Sequence, residues 1–258
     1  MQWFDYFWTS PVDVPPGVGF GQFSPSHLVT LAVMGVGVAL LVWWYCRSDD
    51  RRRRGIRLAV GIAVLIMELV FRQGAFIVLG IYSPPILPLH ACAIATFCVV
   101  IDSIKPNSWT REFIYALGTW GPLCALLFPD WGNQPIINLF TWQAFLIHAC
   151  LLAYPLMLLF GKDFRPSARN LWKVVVIMGV VVIASVLANN KWGTNFWFLA
   201  AGSPGSPLEP IQNFAGSFYL PFLGLLVAIL WTLMYLPWHL RAKSRKPPST
   251  ADAPASQV

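Results

Sequence analysis

The chain alternates long apolar runs with short polar connections. An α-helix needs roughly 17 to 25 mainly apolar residues to cross a bilayer, and seven runs approach or reach that length: 28–46, 56–80, 87–104, 113–128, 139–160, 171–188 and 219–239. The pattern predicts an all-α fold, a polytopic bundle of seven transmembrane helices within residues 1–240. Gly118, Gly121 and Pro122 interrupt the fourth run. If that run does not cross, the count is six and every later segment inverts.

The positions of the basic residues predict an orientation, because Lys and Arg are retained on the cytoplasmic side. Of the 18 Lys and Arg residues, all but Arg72 and Lys191 fall in the connections after the first, third and fifth runs or in the C-terminal tail. This alternation predicts an N-terminus outside and a C-terminus inside. The predicted tail, residues 241–258, is basic at first and then rich in Pro, Ser and Ala, which is typical of a disordered segment.

Composition narrows the class of protein. Hydrophobic residues make up 57% of the chain and charged residues 11%, whereas a soluble domain needs about a quarter of its residues charged. The net charge of +7 follows from the cytoplasmic bias and suits anionic lipid headgroups, so nucleic acid is not a predicted partner. We expect a multi-pass protein of the plasma membrane with membrane lipids as partners. The sequence does not determine an oligomeric state.

The motif search yields no conventional cofactor or disulfide site. The five cysteines lie within the runs or at their edges, and none is in a predicted outer loop: Cys46, Cys92, Cys98, Cys124 and Cys150. No CxxC pair, phosphate-binding glycine loop or GxSxG motif is present. We therefore predict neither a metal nor another cofactor, and any chemistry is expected within the membrane.

Ionisable residues inside a bilayer are costly and suggest function. The second run contains Glu68 and Arg72 four residues apart, the spacing and order that favour an ion pair on one helical face. Such a pair could be a structural salt bridge in which the two charges neutralise each other, or it could orient a substrate.

Three polar groups are predicted to lie at similar depth. At about 1.5 Å per residue, Arg72, Cys92 and His148 lie roughly 12, 8 and 14 Å below the outer ends of their runs. A polar cavity in the outer half of the bundle is therefore expected. His27 and His239, at the ends of their runs, are expected at the membrane interface.

The segment LPLHAC begins the third run. Pro88 suits the first turn of a helix, and on that helix His90 and Cys92 would lie about 200° apart. Cys92 would then share a face with Thr96 and Val99, and His90 would face elsewhere. Cys92 could equally be a small buried hydrophobe, and His148 a hydrogen-bonded core histidine.

A Cys and His pair suggests acyl chemistry, in which an imidazole takes the thiol proton and the thiolate attacks a carbonyl. Cys92 is the candidate nucleophile and His148 the candidate base, with Glu68, Arg72 and His90 as candidate orienting residues. A metal site of Cys92, His148 and Glu68 is the less favoured alternative, because no ligand spacing supports it.

The longest outer connection, residues 189–218, is rich in aromatic residues and Gly-Ser-Pro turns. It could form a structured lid over the cavity or simply lie at the interface. Asn190 and Asn195 are its candidate polar residues, and Asn195 is a candidate for orienting substrate.

Several motifs together resemble the YwaF-like integral membrane proteins: FSPSH at 23–27, the Glu-bearing second run, LPLHAC, FLIH and NNKWGTNFWFL. The resemblance covers most of the chain. The last motif departs from the family pattern, which is closer to GTNYMFL followed by Lys-Pro.

A more remote similarity is to eukaryotic seven-span Cys/His acyltransferases that build polyunsaturated ether phospholipids, and to membrane Thr/His hydrolases of fatty-acid esters. In those acyltransferases the His follows the Cys by nearly sixty residues. By order and spacing, the similarity implies Cys92 as nucleophile and His148 as base, with a phospholipid or lysophospholipid as substrate.

Two functions remain open from the sequence. The first is an integral membrane lipid acyltransferase or hydrolase that uses Cys92 and His148. The alternative is a transporter or small-molecule binding protein with a passage lined by Glu68, Arg72 and His148. A retinal protein is excluded, because the final run 219–239 has no lysine for a Schiff base.

Overall fold

The computed structural model describes residues 5–243, and within that range the regular structure is helical, with no strand. Its α-helices are α1 Pro25–Arg47, α2 Asp50–Ile66, α3 Ala75–Val78, α4 Ala91–Ile104, α5 Ser108–Gly118, α6 Trp120–Leu127, α7 Leu139–Phe160, α8 Leu171–Trp192, α9 Leu208–Ala215 and α10 Tyr219–Lys243. A π-helix, Met67–Gly74, joins α2 to α3. The predicted disordered tail lies outside the described residues from 244 onward, and residues 241–243 continue α10.

Short polar side chains set the start of four helices. Ser24, Asp49, Asn107 and Asn138 cap α1, α2, α5 and α7, each accepting hydrogen bonds from main-chain N–H groups of the first turn. These N–H groups have no partner within the helix, so each cap stabilises its helix by about 1 kcal/mol. The caps fix where each helix leaves its loop and hence which residues face the core.

Helix α7 is at the centre of the bundle. It packs against α1, α2, α4, α5 and α6, and 61% of its most apolar stretch is buried, compared with 11% for Leu208–Arg241. The outer surfaces of α1, α8 and α10 instead carry many exposed Val, Leu and Trp side chains. That distribution is typical of a bundle whose peripheral helices face lipid.

Five segments of the described chain are long and apolar enough to cross a membrane: Pro25–Arg47, Pro84–Ile104, Leu139–Phe160, Ala168–Trp192 and Leu208–Arg241. The all-helical membrane architecture is therefore confirmed. That the chain crosses the membrane seven times stays a prediction, because the second and fourth predicted runs are not single α-helices. The orientation of the chain in the membrane also stays a prediction.

The two remaining runs are interrupted in different ways. The second is helical throughout but changes from α to π at Met67. The fourth is divided at Thr119 into α5 and α6, of 11 and 8 residues. Thr119 lies between Gly118 and the pair Gly121 and Pro122, the residues that interrupt the fourth run in the sequence.

The third helix begins later than predicted. Pro84–Ile86 form a single 3-10 turn, and α4 begins only at Ala91, with His90 as its N-cap residue. Leu87 has an extended backbone (ψ 140°), because a residue before proline is sterically kept out of the α conformation. Pro88 therefore precedes the helix and is not in its first turn.

The bundle has a basic end, where α1 meets α2, α4 meets α5 and α7 meets α8. Near this end Asp102 is fully buried and accepts hydrogen bonds from Thr110, Arg111 and Tyr154. Asp102 therefore has a structural role. The opposite end contains Cys92, and we call it the site end.

His27 lies in the first turn of α1, and its side chain is fully buried within the protein. Its expected position at the membrane interface stays a prediction. Nδ1 accepts a hydrogen bond from the Phe23 N–H at 2.9 Å, and Nε2 lies 2.9 Å from the Leu126 carbonyl oxygen. His27 therefore links the start of α1 to the end of α6.

Candidate functional site

The π-helix Met67–Gly74 carries the two charged residues of the second run. Glu68 is 2% exposed, and its Oε1 accepts hydrogen bonds from Arg72 Nη1 at 3.2 Å and Gln73 Nε2 at 2.9 Å. The predicted Glu68–Arg72 ion pair therefore forms. The wider π turn also brings Gln73, five residues after Glu68, onto the same carboxylate, and π turns are frequent at functional sites.

Hydrogen bonds fix the π-helix to its neighbours. Gln143 of α7 donates to the Met67 carbonyl at 3.2 Å, and Gln73 donates to the Ile86 carbonyl at 2.8 Å. Tyr82 in turn donates to the Gln73 side-chain oxygen. Arg72 is thereby held between α7 and the loop that leads into α4.

Cys92 lies in the first turn of α4. The first intrahelical hydrogen bond runs from the Ile94 N–H to the His90 carbonyl, so the N–H groups of Ala91, Cys92 and Ala93 have no partner within the helix. Thr96 and Val99, on the same face as Cys92, are fully buried. Cys92 itself is partly buried.

Charged residues surround Cys92. It interacts electrostatically with Arg72 and Glu68 of the π-helix and with Asp130 in the loop between α6 and α7. Asp130 is exposed and also interacts with Arg72. Sequence analysis did not identify Asp130, because nothing in the PDWGN segment indicates which helix it approaches.

His148 is held in one tautomer. Its Nδ1 lies 2.6 Å from the Ala144 carbonyl oxygen of the preceding turn. A carbonyl only accepts hydrogen bonds, so Nδ1 carries the proton, and in the neutral ring Nε2 carries the lone pair. Nε2 is therefore the nitrogen of His148 that can accept a proton.

Trp131 covers the His148 ring. The two rings are stacked, with centroids 5.2 Å apart and an interplanar angle of 19°, and Trp131 also contacts Phe145 edge-on. The indole Nε1 is buried and has no hydrogen-bond partner in the structure. The sequence contains 13 tryptophans and gives no signal that this one approaches His148.

Arg72 links the predicted site residues. It interacts electrostatically with Cys92, His148 and His90 as well as with Asp130. Groups on the π-helix, α4 and α7 thus lie within electrostatic range of Arg72, and we call them the polar layer. That Cys92 and His148 contact each other stays a prediction.

His90 lies closer to this layer than predicted. Its ring contacts Phe196 edge-on, with centroids 4.9 Å apart, and it interacts electrostatically with Arg72 and His148. As the N-cap residue it precedes the helix, so the 200° separation expected on a continuous helix does not apply. His90 therefore lies between the polar layer and the loop after α8.

Hydrogen bonds hold that loop, which we call the lid; that it covers a cavity stays a prediction. The Asn189 side-chain oxygen accepts hydrogen bonds from Thr194 Oγ1 and the Phe196 N–H, both at 2.8 Å. Trp197 donates from Nε1 to the Leu89 carbonyl at 2.6 Å and has a left-handed backbone (φ 60°). Trp197 thus attaches the lid to the main chain three residues before Cys92. The left-handed conformation of Trp197 is uncommon for a residue other than glycine, and such conformations cluster at functional sites.

Asn195 has a different environment from the other candidates. Its side-chain oxygen accepts hydrogen bonds from the N–H groups of Ala200 and Ala201, and its Nδ2 donates to the Ala201 carbonyl. These contacts are within the lid itself. Asn195 as a substrate-orienting residue stays a prediction, and its contacts favour a role in shaping the lid.

The described residues contain no group of three or more His, Cys, Asp or Glu arranged to hold a metal ion. All five cysteines are free thiols. The groups that the site offers are therefore the Cys92 thiol, the imidazoles of His148 and His90, a guanidinium paired with a carboxylate, and an indole N–H without a partner.

Comparison with known proteins identifies a family. The model of the TMEM164 family, a membrane protein family, matches residues 22–235. No curated protein and no solved structure matches the chain. The YwaF-like assignment and the remote similarity to Cys/His acyltransferases stay predictions.

Proposed function

The chain belongs to the TMEM164 family of membrane proteins, and we propose that it is a lipid-directed acyltransferase in which Cys92 is the nucleophile and His148 the general base. The observation that carries the proposal is the polar layer itself. Arg72 is within electrostatic range of both Cys92 and His148, which supports a shared site for a thiol, a base and a cation from three helical segments inside an apolar bundle.

The position of Cys92 suits a nucleophile. The N-terminus of α4 carries partial positive charge, which would stabilise the negative charge that passes from the sulfur to the carbonyl oxygen during the attack. The N–H groups of Ala91, Cys92 and Ala93 precede the first intrahelical bond. These donors are available to stabilise the oxyanion that forms when the sulfur attacks an ester carbonyl.

The tautomer of His148 suits a base. Because Nδ1 donates to the Ala144 carbonyl, Nε2 is free to accept a proton, and the same hydrogen bond supports the imidazolium that forms. The stacked Trp131 ring keeps the imidazole plane in one orientation.

The reaction proceeds in two transfers. The Cys92 thiol gives its proton to His148 Nε2 as Sγ bonds to the ester carbonyl carbon of a phospholipid. The carbon–oxygen bond then breaks, and the leaving alkoxide takes the proton from His148, giving a thioester and a lysophospholipid. A hydroxyl of a second lysophospholipid gives its proton to His148 and attacks the thioester, and the departing thiolate regains that proton. Water in place of this hydroxyl would make the reaction a hydrolysis.

Arg72 and Trp131 supply groups for the lipid oxygens. The Arg72 guanidinium pairs with Glu68 through Nη1, which leaves other N–H groups for a phosphate or carbonyl oxygen. The buried Nε1 of Trp131 has no partner, and a buried donor of this kind is destabilising until an acceptor is bound. A substrate oxygen beside His148 would provide that acceptor.

The lid favours transfer over hydrolysis. Its attachment through Trp197 to Leu89 and its contact between Phe196 and His90 cover the start of α4 with aromatic rings. Excluding water protects a thioester from hydrolysis. We therefore place acyl transfer ahead of ester hydrolysis.

The test uses the purified protein in nanodiscs that contain a phospholipid and an isotope-labelled lysophospholipid. Mass spectrometry should detect labelled diacyl product and an acyl adduct on Cys92. Cys92→Ala should lower the rate by at least about 1,000-fold, whereas Cys98→Ala, a buried cysteine on the same helix, should keep most of it. Full activity in Cys92→Ala would exclude the mechanism. Flux of a solute that depends on Glu68 and ignores Cys92 would instead support a transporter.

A further inference from the structure

A second polar site lies at the basic end of the bundle, at the opposite end of α4 from Cys92. It is a pocket of about 300 Å³ lined by Asp50, Arg53, Arg57, Arg111 and Asp163. We call it the basic-end pocket. Its residues come from the N-terminal half of α2, from the first turn of α5 and from the turn after α7.

The three arginines of the basic-end pocket are not equivalent. All three nitrogens of Arg53 donate, and its partners include the carbonyls of Cys46 and Gly161. Arg111 donates to Asp102 through Nε and to the Asp163 carbonyl through Nη1. These two side chains bind the connections between helices together, so they have a structural role.

Arg57 is the least satisfied of the three. Its Nη1 donates to the Tyr45 hydroxyl at 2.6 Å and lies 3.6 Å from Asp163. Its Nε is buried and has no hydrogen-bond partner in the structure. Only 13% of this side chain is exposed, so the unpartnered N–H is one that the native protein is expected to satisfy with a ligand or water.

The pocket carries more positive than negative charge, which favours binding of an anion. Three guanidinium groups face two buried or part-buried carboxylates, Asp102 and Asp163, while the third carboxylate, Asp50, is exposed at the rim. A buried cation without its own carboxylate is costly. An entering anion would balance the excess positive charge and accept hydrogen bonds from the guanidinium groups that line the pocket.

The pocket lies at the depth expected for lipid headgroups. Trp43 and Trp44 precede Tyr45 at the end of α1, and Trp109 precedes Arg111; all three tryptophans are exposed. Exposed tryptophans concentrate where the hydrocarbon meets the headgroups. We therefore expect the arginines of the pocket to lie near the level of the phosphates of the neighbouring leaflet.

We propose that the basic-end pocket binds a phosphate oxyanion, carried either by an anionic phospholipid headgroup or by free phosphate. Planar guanidinium groups match the geometry of phosphate oxygens and bind them with paired hydrogen bonds. Basic pockets between membrane helices bind anionic headgroups for the same reason. This site is independent of Cys92 and of acyl transfer.

The test measures binding of two probes to the full-length protein. The first is phosphatidylglycerol in phosphatidylcholine nanodiscs, with retained lipid counted by native mass spectrometry. The second is inorganic phosphate added to the protein in phosphatidylcholine nanodiscs, with binding measured by the shift of the unfolding temperature. Saturable binding of the lipid alone identifies the headgroup as ligand, and saturable binding of phosphate alone identifies the free ion; either result supports a phosphate site, and binding of neither overturns it.

Three variants locate the site. Arg57→Gln should weaken binding by about tenfold, the effect of losing one hydrogen bond between charged groups. Arg54→Gln makes the same charge change at an exposed position outside the pocket and should leave binding within about twofold. Asp50→Asn removes the rim carboxylate and should tighten binding, so the proposal remains testable even if Arg57→Gln does not fold. Equal binding by wild type, Arg57→Gln and Asp50→Asn would refute it.

Discussion

The indole ring of Trp131 lies against the imidazole ring of His148, with centroids 5.2 Å apart and 19° between the ring planes. The two residues come from different segments, the loop between α6 and α7 and the middle of α7 itself. The contact orients the proposed base and brings a buried N–H without a partner next to it. The packing of this loop therefore affects the orientation of His148 and the hydrogen-bond donors beside it.

Trp131→Phe separates the two roles of this side chain. Phenylalanine keeps an aromatic ring against His148 but removes Nε1–H. If that N–H binds a substrate oxygen, the transfer rate should fall by about threefold to tenfold. The unfolding temperature should stay the same or rise, because the group removed is unpartnered in the protein without ligand. Trp142→Phe, at a position packed against the same cluster of buried residues, is the matched control. A large loss of stability without a change in rate would indicate a purely structural tryptophan.

His148 and His27 are expected to respond oppositely to the same substitution. His148→Gln removes the group that accepts the proton, so activity should fall by about 1,000-fold or more while the protein stays folded. His27→Gln disturbs two buried hydrogen bonds and should lower the free energy of unfolding by about 1 to 3 kcal/mol. Its activity per folded molecule should be close to that of wild type. The measurement is the transfer rate per folded molecule for each variant. Retained activity in His148→Gln would exclude His148 as the base.

Glu68→Gln leaves the Arg72 charge without its partner. Because Glu68 is almost completely buried, the free energy of unfolding should fall by about 3 to 5 kcal/mol. Thermal unfolding in nanodiscs measures the effect. The double variant Glu68→Gln with Arg72→Gln removes both charges and should recover part of the loss. Simple addition of the two single effects would show that the residues do not act as a pair.

Gly193→Ala tests the start of the lid. Gly193 follows α8 with φ of +64° and has open space where a Cβ would be added, so an alanine is disfavoured there by its backbone alone. We expect a loss of about 1 to 2 kcal/mol in the free energy of unfolding. Gly179→Ala, inside the same helix and also in open space, should be neutral or slightly stabilising. Equal effects of the two substitutions would contradict the role of Gly193 in ending the helix.

The lengths of the apolar runs were enough to predict a helical membrane protein and most of its helices. Predicted run 139–160 coincides with α7, and run 28–46 lies within α1. The ion pair between Glu68 and Arg72 also followed from spacing alone. These features are local, because burial in lipid and neighbouring positions on a helix depend on residues close together in the chain.

The contacts that make a site were not predictable in this way. The stacking of Trp131 on His148 depends on how the loop between α6 and α7 packs onto α7. The π turn that brings Gln73 to Glu68 and the late start of α4 after Pro88 are local changes of backbone geometry that the apolar runs do not reveal. The basic-end pocket joins Arg57 of α2, Arg111 of α5 and Asp163 of the turn after α7. Residue types and spacing indicate which groups are available for chemistry, but only side-chain packing across the bundle decides which of them meet and which hydrogen bonds remain open for a ligand.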